Sequence, residues 1–335
     1  MAMEYFRPIP ICDVARPEGA LPLAGGWSWF SQVELLQRGQ APRILPVADL
    51  PAEWRERLTA KRADVVGLSM DAPRLMGILN VTPDSFSDGG RYLDAAHAVG
   101  HVLELIGEGA EIIDVGGEST RPGAAFVPEA EEVARILPVV QAVQALAPVS
   151  LDTRKAAVAK AGLAAEAAMV NDVSALGHDP AMAGVLAAGD WPVCLMHAQG
   201  TPQDMQDDPR YGDVLLDVYD HLAERIAFAE QAGIARGRII VDPGIGFGKT
   251  LAHNLALLER LSLFHGLGCP LLLGVSRKRF IGTIAQEADA DRRAPGSVAV
   301  ALAGVMQGAQ ILRVHDVGMT RQALRLWQAV TGMGQ

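Results

Sequence analysis

From Leu75 onward, short apolar runs that end in polar residues alternate with longer stretches of helical period. The runs are LMGILN, EIIDVGG, PVSLDT, AMVND, PVCLMH, IIVDPG, PLLLGVS and ILRVHD. Between them lie segments such as LDAAHAVGHVLELIGEG, PEAEEVARILPVVQAVQAL and DVLLDVYDHLAERIAFAEQAG, and the chain closes with TRQALRLWQAVTG. Each run has the length of a buried parallel strand, and each longer segment is long enough for the crossover helix that parallel pairing requires. Gly109, Gly189, Gly233 and Gly308 stand where such helices should end. Strand and helix candidates repeated eight times predict an α/β fold, a (β/α)8 TIM barrel over residues 71–335. A doubly wound open sheet has the same alternation, because periodicity does not reveal closure.

Residues 1–70 do not join this repeat. They contain a Pro- and Gly-rich stretch, PEGALPLAGG, and two helix candidates, SQVELLQRG and LPAEWRERLTAKRA. Trp27, Trp29, Phe30 and Trp54 give this segment apolar surface to bury. The expectation is a small N-terminal extension packed on the barrel, not a disordered leader.

Barrel active sites gather at the C-terminal ends of the strands, so the last residues of each run are the candidates. They are Asn80; Asp114, then Glu118, Ser119, Thr120 and Arg121; Asp152; Asn171 and Asp172; His197; Asp242; Ser276, Arg277 and Lys278; and Arg313, His315 and Asp316. A single polar residue at a strand end is a helix cap or loop starter. Polar groups at almost every strand end point to a ligand site. A carboxylate matches two adjacent N–H donors, as on a guanidine-like heterocycle. Lys278, Arg313 and His315 suit an anion. The set fits a nitrogen heterocycle at one end and an anionic leaving group at the other. Lys278 and Arg313 as simple rim ion pairs remain the bland alternative.

Charge and cysteine content narrow the field. A formal net charge of −10 argues against a general nucleic-acid binder. Cys12, Cys194 and Cys269 lack zinc-site spacing and read as free thiols in a reducing cytoplasm, with Cys194 in the core. No leader pattern and no membrane-length apolar span stand out. GIGFGKT resembles a phosphate loop only in part, because Pro243 occupies the place of the loop's first glycine. These glycines read instead as a tight turn entering a helix. His97 and His101, four apart, suit an outer helix surface better than a metal. His197 is either a loop-ordering residue or a ligand contact.

Several separated stretches share one resemblance. They are MGILNVTPDSFSDGG (residues 76–90), GAEIIDVGGESTRPG, SLDTRKAAVA, VNDVSA, LMHAQGTPQDMQ, DPGIGFGKTLAHNLALL, GVSRKRFIG and GSVAVALAGVMQGAQILRVHDV. In this order the chain resembles the dihydropteroate synthases, from about Leu75 to its end. That family joins a dihydropterin-CH2-pyrophosphate to p-aminobenzoate on a TIM barrel and releases pyrophosphate.

The resemblance implies a pterin site of Asp152, Asn171, Asp242 and Lys278, walled by Met196 and Phe247. It implies a pyrophosphate and p-aminobenzoate region of Asn80, Ser119, Thr120, Arg121, Pro122, Ser276, Arg313 and His315, with Mg2+ held at Asn80. Lys278, Asp152, Arg313 and His315 become the catalytic candidates. The polar run after the first strand and the STRPG segment become loops that close over the anion. A homodimer formed through the last helices, and small-molecule substrates without nucleic acid or membrane, complete the expectation. The sequence departs from the pattern at Arg279, where many relatives carry Ser near the p-aminobenzoate carboxylate. Two alternatives remain open: a pterin-binding methyltransferase barrel, and a non-catalytic pterin-binding protein.

Overall fold

The computed structural model describes residues 3–81, 91–119, 123–201 and 203–332, with backbone alone for 91–95. Residues 82–90, most of the polar run after the first strand, lie outside the described residues. So do Thr120, Arg121 and Pro122.

Eight parallel strands form one sheet. In chain order they are Arg74–Asn80, Ile112–Gly116, Val149–Asp152, Met169–Asp172, Val193–Met196, Ile239–Asp242, Leu272–Leu273 and Ile311–Val314. The spatial order is sixth, fifth, fourth, third, second, first, eighth, seventh. A lone parallel bridge between Val241 and Leu271 brings the two ends of this sheet together, so the barrel alternative holds over the open sheet. A helix follows every strand, from Arg91–Glu108 after the first to Val317–Val330 after the eighth. Asp213 caps the helix Val214–Gln231 by accepting from the backbone N–H groups of Leu215 and Leu216. Among the described residues no helix is long and apolar enough to cross a membrane.

Strand side chains alternate between the two faces of a sheet. The outward set packs with the helices in the large core. The inward set closes the barrel's lower half in a cluster of Met76, Ile112, Met169, Cys194, Ile240, Leu272 and Ile311. Val65 and Met70, from the turn that leads into the first strand, join this cluster from below.

In the N-terminal segment, Gln32–Leu36 lies centrally in a three-stranded antiparallel sheet, between Tyr5–Pro8 and Arg43–Pro46. This corrects the expectation of a helix over SQVELLQRG. Val33, Leu35 and Leu36 suit either period, and the ladder with two flanking strands decides between them. Ala52–Thr59 is helical as expected. Trp54 of that helix stacks on Tyr219 with ring centroids 6.1 Å apart, and Tyr5 meets Tyr219 edge-on at 5.5 Å. Glu34 pairs with both Arg7 and Arg260. The Tyr5 hydroxyl lies 2.9 Å from both Asp220 carboxylate oxygens. Tyr5→Phe removes one charge-assisted hydrogen bond and should lower unfolding free energy by about 1.5 kcal/mol. Michaelis constants should stay unchanged, because none of these residues lines the cavity described below. Denaturant titration with parallel kinetics checks both. A raised Michaelis constant at unchanged stability would connect the extension to the active site.

Candidate active site

Going up each strand from the apolar cluster by one period of two changes the chemistry of the barrel interior. Above Ile112 stands Asp114, above Met169 Asn171, above Cys194 Met196, above Ile240 Asp242, above Leu272 Gly274 and above Ile311 Arg313. The third strand adds Asp152, in register with Asn171. One further period gives Asn80, Ser276 and His315 at the rim. A polar layer therefore sits on an apolar floor. Asp114, Asp152, Asn171 and Asp242 are all buried in it.

Arg313 organises one side of this layer. Its Nε donates to Oδ2 of Asp114 at 2.5 Å and its Nη2 to Oδ2 of Asp152 at 2.6 Å. Asn171 Nδ2 donates to the same Asp114 oxygen at 3.3 Å. The other oxygens, Oδ1 of Asp114 and Oδ1 of Asp152, are buried without a hydrogen-bond partner among the described residues. Buried acceptors are normally satisfied, so this pair marks where a ligand would bring N–H donors.

On the opposite side, Asp242 Oδ1 accepts from the Gly244 N–H at 2.7 Å. Lys278 Nζ stands 4.4 Å from the Phe247 ring centroid and donates to the Ile245 carbonyl. Between Asp242 and Arg313 the seventh strand presents Gly274. A Cβ there would lie 3.7 Å from Asp242 Oδ2 and 3.9 Å from Arg313 Cβ, so glycine keeps the floor open between carboxylate and guanidinium.

Burial and charge pull these groups in opposite directions. Burial pushes the Asp152 carboxyl up to about 7 against the pull of Arg313, and Asp114 adds to the rise. Although burial opposes its charge, the Arg313 guanidinium is held above its ordinary value by Asp114 and Asp152. The short contacts to Arg313 oppose the rise of Asp152 without cancelling it. Burial raises Asp242 while Lys278 lowers it. Burial brings Lys278 down to about 8, with Asp242 working to keep it charged.

Above the polar layer opens a cavity of about 770 Å3, lined by Asn80, Ser119, Asp152 and Phe247 and by Ser276, Lys278, Arg279, Arg313 and His315. The His315 backbone N–H and Nδ1 lie 3.1 and 3.0 Å from Ser276 Oγ. Asn171, Met196 and Asp242 lie below, in the buried ring. All the expected site residues that are described thus converge on one end of the barrel.

The geometry adds to the sequence reading in three places. Arg313, placed with the anion by resemblance, also clamps two carboxylates of the floor. Asp114, named only as a strand end, lies at the centre of that floor. Its signal was its place two residues beyond Ile112, matching Asp242 beyond Ile240. His197 does not line the cavity; it is buried against Lys249 and His221. His97 and His101 are exposed on an outer helix.

A barrel with a carboxylate floor, a lysine over an aromatic ring and an arginine–histidine rim defines a class of heterocycle-binding barrel enzyme. The chain belongs to the pterin-binding enzymes, whose family model matches residues 76–315. Within that class its relatives are dihydropteroate synthases. The enzyme of Escherichia coli K12 is 47% identical over 269 residues, covering 80% of this chain and 95% of the relative. The solved Xanthomonas albilineans dihydropteroate synthase with 4-aminobenzoic acid superposes with a TM-score of 0.75 at 48% identity, covering 80% and 97% of the two chains. The same enzyme in complex with 7,8-dihydropteroate gives 0.72 at 45% identity, covering 80% and 98%.

Proposed function

We propose that the polar layer binds the pterin and the rim above it binds the pyrophosphate and p-aminobenzoate. The reaction is that of a dihydropteroate synthase, a transferase of folate biosynthesis. It condenses 6-hydroxymethyl-7,8-dihydropterin pyrophosphate with p-aminobenzoate to give 7,8-dihydropteroate and pyrophosphate. The observation that carries the site assignment is the pair of unpartnered buried oxygens on Asp114 and Asp152, beside Asn171 and opposite Asp242. Such acceptors fit the N–H-rich edge of a pterin.

In this reading Asp152, Asn171 and Asp242 hold the ring, with Asp114 added to them, and Met196 and Phe247 wall it. Lys278 contributes an N–H donor beside the ring. The methylene C–O bond breaks and its electron pair leaves with pyrophosphate. The dihydropterin delocalises the positive charge left behind, and nearby carboxylates favour it. The aryl amine nitrogen then attacks the methylene carbon and its proton passes to solvent. That amine is neutral at pH 7, so no strong general base is needed. Arg313 and His315 hold the departing anion at the rim, with Ser276 hydrogen-bonded to His315. Ser119, with Thr120, Arg121 and Pro122, completes the p-aminobenzoate side.

A Mg2+ ion fits this rim. Mg2+ needs few protein ligands when substrate phosphates and waters supply the rest, and Asn80, whose side chain carries an amide oxygen, lines the same cavity as Arg313 and His315. When bound, the ion would neutralise charge on the pyrophosphate oxygens. The extension of residues 1–70 acts as a stabilising module packed on the barrel of residues 71–335. A cytoplasmic homodimer completes the proposal. Exposed Met319, Leu326 and Val330 on the last helix support the dimer, and free thiols support the reducing compartment.

Lys278→Ala and Asp242→Asn test the pterin site. Asp242→Asn places an amide where the ligand's donors and the Gly244 N–H need an acceptor. Each variant should lower kcat/KM for the pterin substrate by roughly 10- to 100-fold, the range set by losing a hydrogen bond to a charged group. Melting temperature should hold in both. Pyrophosphate release in the presence of p-aminobenzoate is the assay. Near-normal turnover of Asp242→Asn would remove that residue from the pterin site.

A further inference from the structure

Lys249 is a buried lysine that forms no ion pair among the described residues; burial pushes its ammonium well below the usual range, and Asp242 acts in the other direction. Its side chain is buried, and Nζ reaches His197 Nδ1 at 2.8 Å, the Gly244 carbonyl at 2.9 Å and the Phe247 carbonyl at 3.0 Å. The His197 carbonyl stands further off, at 3.3 Å. Three close acceptors match the three N–H groups of an ammonium. An ammonium so buried is expensive where an apolar residue would fill the same space. What it holds is the glycine-rich turn of residues 244–248, between the sixth strand and the next helix.

That turn is tied in an unusual way. Side chains donate to every one of its carbonyls: Lys249 to Gly244 and Phe247, Lys278 to Ile245, Gln206 to Gly246, and Tyr211 to Gly248. The turn is also wedged against the end of the fifth strand. Gly244 has φ +67°, and a Cβ there would stand 1.8 Å from the His197 carbonyl oxygen. Gly248 has φ +60°, and its Cβ would stand 2.4 Å from the Gln199 oxygen. A Cβ on Gly246 would meet Lys278 Cδ at 3.0 Å, so glycine here lets the lysine side chain lie close along the turn. Phe247 lies under the same ammonium.

We propose that Lys249, braced by His197, is a positioning residue: it fixes the 244–248 turn so that Phe247 and the Ile245 carbonyl set Lys278 for pterin binding. Lys249 borders the same cavity, but its Nζ is taken up by His197 and by the Gly244 and Phe247 carbonyls, so it acts through Lys278. Burial drives His197 far below its usual range, and Lys249 beside it adds to the fall, so its ring is neutral, and the tautomer protonated on Nε2 leaves Nδ1 to accept from the lysine. The inference rests on the assignment of Lys278 and Phe247 to the pterin pocket.

The test is a double-mutant cycle on the full-length enzyme with Lys249→Met and Lys278→Ala. It is read as KM for the pterin pyrophosphate, kcat, and calorimetric affinity for 7,8-dihydropteroate. Lys249→Met should raise the pterin KM roughly tenfold, the scale of one or two lost hydrogen bonds. kcat should change less than KM, and melting temperature should change little, because removing a desolvated ammonium offsets the acceptors left without their donor. In the Lys278→Ala background the same change should add nothing. A purely structural lysine would instead lower the melting temperature and leave KM alone. Wild-type affinity in Lys278→Ala would overturn the pocket assignment itself. Weakened affinity in Lys278→Ala with an unchanged KM in Lys249→Met, or losses that multiply in the double variant, would overturn the role of Lys249 alone. His197→Phe keeps the ring but removes the acceptor, so it gives the same readout if Lys249→Met folds poorly. Its KM rise should be smaller and should also vanish beside Lys278→Ala.

Discussion

Replacing Arg313 with Met should both unfold the barrel more readily and stop catalysis. The guanidinium donates to Asp114 and Asp152, and Asp114 is fully buried. Removing it leaves two carboxylates in the same interior layer without a counter-charge. Breaking a buried pair in this way costs about 3–5 kcal/mol, more than the net worth of the pair, because the remaining charge stays desolvated. The loss should be greater at pH 8 than at pH 5, where protonation relieves the repulsion. Urea unfolding at the two pH values measures it. Arg313→Met combined with Asp152→Asn should recover part of the stability and none of the activity. Equal, small losses at both pH values would mean that the carboxylates find other partners and that Arg313 serves the anion alone.

The barrel was legible because each strand run is short, apolar and closed by polar residues, and each following segment keeps one helical period. ILRVHD became the strand Ile311–Val314 and a helix followed, as the alternation predicts. Closure was not legible, since it rests on Val241 reaching Leu271 across the ends of the sheet. The strand Gln32–Leu36 was missed for a related reason. Its apolar residues satisfy both periods, and the pairing that settles the matter joins Phe6 to Leu35 and Ile44 to Glu34. Local pattern does not contain that information.

Candidate residues at the ends of runs could be read directly, and Asp152, Asn171, Asp242, Lys278 and His315 do gather at one end of the barrel. Asp114 was read as a strand end without a role, because only the inward alternation places it in one layer with Asn171 and Asp242. The second role of Arg313, its pairing with Asp114 and Asp152, was not legible because those carboxylates are 199 and 161 residues away in sequence. Lys249 was read only as part of a phosphate-loop look-alike. Its role depends on the end of the fifth strand and on Lys278, neither of which lies near it along the chain.

Asp152→Asn should separate function from stability. Burial, partly offset by Arg313, raises the Asp152 carboxyl from its ordinary range to about 7. A raised acid pKa means that the native state holds a proton that the unfolded chain has lost. Between about pH 4 and pH 7, therefore, native stability from this group falls as pH rises. The penalty is fully present above the folded value of about 7. Asparagine carries no such penalty, so Asp152→Asn should gain stability relative to the parent as pH increases through this window, and little below pH 4. The same substitution removes an acceptor from the proposed pterin edge and should lower kcat/KM by roughly 10- to 100-fold at every pH where the parent works. Thermal unfolding from pH 4 to pH 8, with pyrophosphate release measured on the same samples, tests both parts. A stability difference that stays flat across the window would show that Arg313 already keeps Asp152 ionised at no net penalty. Retained activity would take Asp152 out of the proposed pterin site and leave Asp114 as the buried carboxylate on that side of the ring.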